Sequence, residues 1–265
     1  MLFRSVKDAV PYFRCRACRF TFARPAENPN RKEILDDFEP AYLQYLQPDK
    51  ADIVNFQALY RWMADFGPLD KRGLIDLGCG SGKLVRFLRS RQVEAVGLEP
   101  CNALYNHFLK EEPCFFHGEL GQDSEATTRT YDVVTAFDVL EHVEDPVFFL
   151  ERSSRLLNKS GLLFLSTPDL GSMAAKCLGR RWHFFCPYHL VYFDRETLTK
   201  LASRLGLEMV HFSRRGRYRS VGYTLRYLFE FLLRRKAPSL INKFDNMVVP
   251  VNLRDTMYCC LRKAS

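Results

Sequence analysis

The chain has 265 residues, of which 47% are hydrophobic, and a formal net charge of +8. This size fits one α/β domain with a small appendage, and the composition excludes intrinsic disorder. Charge appears early at the amino terminus, and no apolar run approaches the ~20 residues that span a bilayer, so we expect a cytoplasmic protein without a secretory signal.

Residues 1–28 are predicted to form an amino-terminal arm that contains two of the nine cysteines, Cys15 and Cys18. Their spacing resembles the second knuckle of a zinc ribbon. A structural zinc ion needs four ligands, and no nearby cysteine or histidine supplies the other pair. The sequence therefore argues against zinc at Cys15/Cys18 and indicates a remnant, or a chain that begins downstream of the true start. The remaining cysteines are scattered, which indicates reduced thiols.

Residues 29–265 are predicted to form the main domain. Apolar spacing predicts helices between residues 31 and 66, broken near Pro48. Short apolar runs then alternate with helical patterns, which is typical of a parallel sheet covered on both faces. The predicted strands are 74–77, 95–98, 114–116, 133–137 and 161–166, and the helices between them are 83–91, 103–110 and 146–157.

A glycine-rich turn, Asp76-Leu77-Gly78-Cys79-Gly80-Ser81-Gly82, follows the first of these strands. Glycines let a ligand approach the backbone, although a purely structural turn would also use them. Asp76 can face a cationic amino group, and Glu99, at the end of the next strand, can accept both hydroxyls of a ribose. Lys83 stands where a nicotinamide site would want glycine, which argues against a dehydrogenase.

Three segments together resemble class I S-adenosylmethionine-dependent methyltransferases: 74–82, 97–100 and 138–143. The likeness is to the broad group that includes ubiquinone-biosynthesis O-methyltransferases and sugar or natural-product methyltransferases. It implies an enzyme with a doubly wound, mostly parallel seven-stranded α/β sheet and an antiparallel last strand. The closing strands would be 207–212 and 256–261.

The resemblance also implies a set of residues for S-adenosyl-L-methionine. Glycines would hold its methionine part, Asp76 its amino group and Glu99 its ribose. Glu119 would lie beside the adenine amino group, although the family more often has aspartate there and a solvated loop acid is an equally open interpretation. The expected cofactor residues are Asp76, Gly78, Cys79, Gly80, Gly82, Glu99, Pro100, Glu119 and Asp138.

Three histidines could remove a proton from a hydroxyl acceptor: His142, His189 and His183. If residues 138–142 form a helical turn, Asp138, Glu141 and His142 share one face and could bind a divalent cation. The ubiquinone O-methyltransferases have glutamate at the position of Asp138, and in many relatives these residues only shape the pocket.

Two segments are candidates for acceptor recognition. Residues 170–193 are predicted to form a lid, and residues 213–249 a basic helical insertion. Its part 213–236 would meet a membrane surface or a lipid-linked acceptor, or would simply pack on the core with solvated arginines.

The predicted function is transfer of a methyl group to oxygen, with nitrogen or carbon less favoured, of a small-molecule, sugar or quinone-like acceptor. The alternative is a non-catalytic S-adenosylmethionine-binding or scaffold protein. A nucleic-acid substrate is disfavoured because no Asn/Asp-Pro-Pro-aromatic signature follows the fourth strand.

Overall fold

The computed structural model describes residues 2–7, 10–24, 50–122, 124–186, 188–233 and 237–264. Its strands are β1 (Leu2–Lys7), β2 (Val10–Arg14), β3 (Thr21–Ala23), β4 (Gly73–Leu77), β5 (Glu94–Glu99), β6 (Phe115–His117), β7 (Tyr131–Phe137), β8 (Leu157–Pro168), β9 (Val191–Tyr192), β10 (Leu207–Arg214), β11 (Arg217–Ser220), β12 (Val248–Val251) and β13 (Thr256–Lys263). The helices are α1 (Lys50–Ala64), α2 (Lys83–Arg89), α3 (Asn102–Leu104, continued by a π-helical turn at Tyr105–Leu109), α4 (Pro146–Arg155), α5 (Met173–Leu178), α6 (Arg195–Arg204) and α7 (Val221–Leu233).

Seven strands form the main sheet in the order β10-β13-β8-β7-β4-β5-β6. Strand β13 runs antiparallel to both of its neighbours, whereas β8, β7, β4, β5 and β6 are paired in parallel. The predicted fold class is therefore confirmed. The central strands are apolar along most of their length because helices cover both faces of the sheet.

The carboxyl ends of the parallel strands carry the acidic residues that the sequence singled out. Asp76 lies in β4, Glu99 ends β5, and Asp138 follows β7. Helix α1 confirms the second half of the helical prediction before the sheet. The predicted helices between residues 31 and 49, and the boundary between residues 28 and 29, lie outside the described residues.

The amino-terminal arm is part of a second sheet. Strands β1, β2 and β3 pair in sequence, and β3 pairs with β9 of the predicted lid. Tyr12 is fully buried, and its ring centroid lies 4.7 Å from that of Phe185 and 5.7 Å from that of Tyr192. The arm therefore packs on the predicted lid and shares a small core with it. The interpretation of the arm as a remnant did not include this structural role.

The insertion between β10 and β13 contains more than the predicted helix. Strands β11 and β12 form an antiparallel ribbon, and α7 connects them through a 3₁₀ segment, Ser239–Phe244. Among the described residues, no helix is long and apolar enough to cross a bilayer.

Candidate functional site

The glycine turn after β4 adopts a conformation that favours glycine. Gly78, Gly80 and Gly82 have φ angles of 68°, 58° and 75°. The amide of Gly78 donates to the carbonyl of Leu98 at 2.8 Å, which ties the turn to β5. A Cβ on Gly82 would lie 2.5 Å from the ring of Phe115. Glycine is therefore required at Gly82 by packing against the core, whereas Gly78 and Gly80 line the cavity described below.

Glu99 fixes the other side of this turn. Its buried carboxylate accepts hydrogen bonds from the amide of Gly80 at 2.7 Å and from the amide of Cys101 at 2.9 Å. This acid at the end of β5 therefore holds the glycine turn in shape. It is not among the described wall residues of the cavity discussed below, and the ribose role that the resemblance implies stays a prediction.

Asp76 is the buried acid at the end of β4. Its carboxylate is 5% exposed and accepts a hydrogen bond from the hydroxyl of Thr135 at 2.6 Å. Burial raises the pKa of Asp76 to about 7, although the Thr135 hydroxyl acts in the opposite direction. A buried carboxylate without a cationic partner is costly, so the site favours a ligand that brings a positive charge.

A cavity of about 740 Å³ opens beside these groups, and its wall includes Asp76, Gly78, Gly80, Phe137 and Asp138. Helix α1 and the segment from Arg215 to Ser220 form adjoining parts of the wall, because the Asn55 side chain of α1 hydrogen-bonds both backbone groups of Tyr218. S-adenosylmethionine fits these groups. Its cationic amino group could pair with Asp76, its ribose diol could donate to Glu99, and its methionine part could approach the backbone of the glycines. Bound there, it would supply an electrophilic methyl group on a sulfonium.

Asp138 is held by a partner that the sequence analysis did not anticipate. Arg217 of β11 lies 2.5 Å from its carboxylate and donates to the hydroxyl of Tyr258 at 3.0 Å, and Ser166 also donates to Asp138. Burial raises the pKa of Asp138, but the Arg217 guanidinium, the Ser166 hydroxyl and His142 together outweigh burial and lower it. The strand end and the insertion are thereby bridged across the cavity.

The proposed metal ligands are arranged differently from the expectation. Asp138 has a φ of 57°, and only Leu140–His142 form a 3₁₀ turn, so the helical spacing that was to align Asp138 with Glu141 and His142 is absent. Among the described residues, the ligand atoms within 4.8 Å of one another belong to Glu141, His142 and His189. His189, from the predicted lid, is therefore the third member of this group in place of Asp138.

His142 and His189 each place the Nδ1 atom next to a backbone carbonyl oxygen. The Nδ1 atom of His142 lies 2.9 Å from the carbonyl of Tyr188, and that of His189 lies 2.9 Å from the carbonyl of Phe184. Because a carbonyl only accepts, both Nδ1 atoms carry the proton and both Nε2 atoms keep a lone pair. Burial and then His142 lower the pKa of His189 to about 3. Burial also lowers that of His142, against the Tyr188 carbonyl and Asp138.

Glu141 is the third residue of this cluster and is buried. It is 2% exposed, and its Oε2 makes no hydrogen bond of ordinary geometry with the described residues. Burial, followed by the charge of Asp138, raises the pKa of Glu141 to about 8. A buried oxygen of this kind fits either a proton or a cation. Asp138 lines the cavity, whereas none of the three cluster residues is among its described wall residues.

The other predicted site residues are less central. His183 lies 3.6 Å from Asp255, a buried acid that also accepts from the indole of Trp182. Glu119 lies in the loop after β6 and does not line the cavity. Cys79 is buried in the glycine turn, and Pro100 follows Glu99 directly.

The sequence analysis did not identify several residues of the site. Thr135 holds Asp76 from the core, and Arg217 and Tyr258, which line the cavity, are hydrogen-bonded to each other. Residues 213–249 were predicted only as a basic helical insertion. Nothing local indicated that Arg215, Arg217 and Arg219 line the cavity.

A family model described as a methyltransferase domain matches residues 42–212 of this chain. Curated relatives include ubiquinone biosynthesis O-methyltransferases. That of Nitrosomonas europaea is 31% identical over 107 residues, which cover 38% of this chain and 46% of the relative. That of Colwellia psychrerythraea is 33% identical over 100 residues, covering 36% and 41%. The chain thus spans less than half the length of these two relatives.

Solved structures share the fold. Magnesium protoporphyrin IX methyltransferase from Synechocystis, with bound SAH, aligns with a TM-score of 0.58 at 14% identity and covers 89% of this chain and 100% of the other. An S-adenosylmethionine-dependent methyltransferase from Mesorhizobium loti aligns with a TM-score of 0.52 at 15% identity, covering 78% and 99%.

Proposed function

Since this chain belongs to the methyltransferase-domain family and has the class I S-adenosylmethionine-dependent fold, we propose that it transfers a methyl group to a hydroxyl oxygen of a small molecule. The observation that carries the proposal is the cavity lined by Asp76, Gly78 and Gly80, with Glu99 at the end of the adjacent strand holding the turn. The names of the curated relatives support oxygen as the acceptor atom.

The chain's own residues would align the reactants and accept the proton. Asp76 would orient the cofactor amino group, and the ion pair of Arg217 with Asp138 would fix the wall beside the acceptor. S-adenosylmethionine, when bound, would supply the methyl group from its sulfonium, whose sulfur would keep the electron pair of the broken S–C bond as a neutral thioether. The hydroxyl proton would pass to a base of the chain.

We assign the base role to His142 before His189 and His183. Because His142 does not line the cavity, this role requires the acceptor hydroxyl to extend past Asp138 to the exposed His142 imidazole. Its Nε2 carries a lone pair, and its neighbour Asp138 stabilises the imidazolium that proton transfer creates. His189 has too low a pKa to compete, and His183 faces Asp255. A divalent cation on Glu141, His142 and His189 would be the alternative use of the same lone pairs.

We expect His142→Gln to lower the rate of methyl transfer about 100-fold while leaving cofactor affinity unchanged, because a positioned base contributes about this much. His183→Gln is the matched control and should keep near-normal activity. If a cation rather than a base is involved, EDTA will abolish wild-type activity and added Mg²⁺ or Mn²⁺ will restore it. Unchanged turnover by the His142 variant would remove both roles.

The acceptor class is tested by the fate of a labelled methyl group. The protein is incubated with [methyl-¹³C]S-adenosylmethionine and a low-molecular-weight extract, and the chemical shift of the product methyl carbon is measured. We expect an O-methyl signal. Signals of N- or C-methyl groups would contradict oxygen as the acceptor atom. Tight cofactor binding with no labelled product would favour the non-catalytic binding protein.

Two finer expectations remain predictions. A sugar or quinone-like acceptor would have to fit the cavity beside Asp138. A membrane surface or lipid-linked acceptor would contact residues 213–236, where Arg219 and Tyr223 line the cavity. The side chains of residues 227, 228 and 230–236 lie outside the described part of the chain.

A further inference from the structure

The cavity beside the glycine turn is lined by more cations than acids. Among its described wall residues, the basic side chains are those of Lys50, Lys83, Arg215, Arg217, Arg219 and Arg226, and the acidic ones are those of Asp52, Asp76, Asp138 and Asp245. A cavity that concentrates one sign of charge attracts ligands of the other sign.

Three of these cations already have acidic partners. The ion pairs are Lys83 with Asp52 at 2.8 Å, Arg217 with Asp138 at 2.5 Å, and Arg226 with Asp245 at 2.7 Å. Asp76 is the remaining acid, and the proposed function assigns it to the cofactor amino group. The cationic excess therefore resides in Lys50, Arg215 and Arg219.

Arg215 and Arg219 stack on aromatic rings, and the Nε of Arg215 also donates to the hydroxyl of Ser213 at 3.0 Å. The guanidinium of Arg215 lies 4.8 Å from the ring centroid of Trp62, and that of Arg219 lies 5.6 Å from the ring of Tyr223. Within the described part of the chain, neither arginine forms an ion pair. Burial lowers the pKa of Arg215. Both guanidinium groups are therefore held in place with donors available for an anion.

The cofactor does not account for both arginines. S-adenosylmethionine brings one carboxylate together with two cationic groups, the amino group and the sulfonium. Lys50 lies two positions before Asp52, whose ion pair with Lys83 joins the start of α1 to the start of α2. Lys50 is therefore the cation beside the glycine turn, whereas Arg215 stacks on Trp62 near the other end of α1 and Arg219 on Tyr223 of α7.

Building on the proposed function, we propose that the methyl acceptor carries an anionic group, a carboxylate or a phosphate, and that Arg215 and Arg219 bind it. Planar guanidinium groups suit both anions because they offer paired donors. The acceptor hydroxyl would then lie near the Asp138 end of the cavity, which adjoins these arginines through Arg217.

Calorimetry on the full chain saturated with S-adenosylhomocysteine tests this proposal. Inorganic phosphate and benzoate are titrated separately against a background of matched chloride concentration. We expect one of them to bind in the millimolar range, and Arg219→Gln and Arg215→Gln each to weaken that binding about tenfold through loss of charge-assisted hydrogen bonds. Arg204→Gln, an exposed site on α6, should leave it unchanged.

The stronger of the two anions identifies the class of group. Absence of binding by both anions would overturn the proposal, as would equal weakening in the Arg204 variant. If Arg219→Gln instead weakens the binding of S-adenosylhomocysteine, Arg219 holds the cofactor carboxylate and the proposal is wrong. Failure of the proposed function would appear as absence of S-adenosylhomocysteine binding in the wild type. Titrating the anions without S-adenosylhomocysteine tests the two arginines independently of that result.

Discussion

Asp76→Asn should abolish binding of S-adenosylhomocysteine and at the same time raise the stability of the protein at pH 8. The carboxylate is buried, and its pKa is raised from 3.8 to about 7. The ligand's amino group binds the ionised acid, and asparagine offers it no charge. The neutral amide keeps an oxygen that can accept the Thr135 hydroxyl, so the fold is retained.

The sign of the stability effect follows from proton binding. The folded chain holds the Asp76 proton up to about pH 7, whereas the unfolded chain releases it near 3.8. The wild type therefore loses stability as pH rises between these values, by at most about 4 kcal/mol. The Asp76→Asn variant does not have this loss. Its free energy of unfolding, measured by chemical denaturation, should therefore exceed that of the wild type by an amount that grows above pH 4 and levels off above pH 7.

The same titration predicts pH-dependent affinity. S-adenosylhomocysteine should bind the wild type about tenfold more weakly for each pH unit below 7, because the acid must first lose its proton. Asp65→Asn, a change in an exposed acid outside the cavity, should alter neither property. An Asp76→Asn variant that binds the ligand normally would show that this carboxylate does not hold the amino group.

Glu99→Gln should weaken cofactor binding about 1,000-fold, because hydrogen bonds from a ribose diol to a charged acceptor are each worth about 1.5–3 kcal/mol. The substitution also places an amide NH₂ against the amide of either Gly80 or Cys101, where two donors meet. We therefore expect a loss of about 2 kcal/mol in the free energy of unfolding as well.

Calorimetry with S-adenosylhomocysteine and with adenosine separates the two effects of this substitution. Loss of affinity for adenosine, which has the ribose but no methionine part, would locate the defect at the sugar. Glu94→Gln, at the exposed start of the same strand, is the control. Normal adenosine binding by Glu99→Gln would contradict the ribose assignment.

The sheet and the glycine turn could be predicted because their signals are local. Each strand is a short apolar run bounded by glycine or acid, and β4 with its turn occupies only a few consecutive residues. Boundaries shifted where pairing with neighbours extends a strand, as in β8, which starts at Leu157 to pair with β7 and ends at Pro168 to pair with β13.

Features that join distant segments could not be predicted in this way. Arg217 and Asp138 are 79 positions apart, and β9 contributes only two residues to the sheet of the amino-terminal arm. His189 reaches Glu141 and His142 because the amide of Leu190 donates to the carbonyl of Glu141 at 2.7 Å. The helical spacing proposed for Asp138 was wrong because the chain passes through a left-handed conformation there before the short turn begins.

The most direct measurement is calorimetric titration of the wild-type chain with S-adenosylhomocysteine and, separately, with NADH at pH 8. The site described here predicts one molecule of S-adenosylhomocysteine per chain, with a Kd between about 1 and 100 μM, and no heat of binding with NADH. Binding of NADH, or of neither compound, would contradict the assignment of the glycine turn to S-adenosylmethionine.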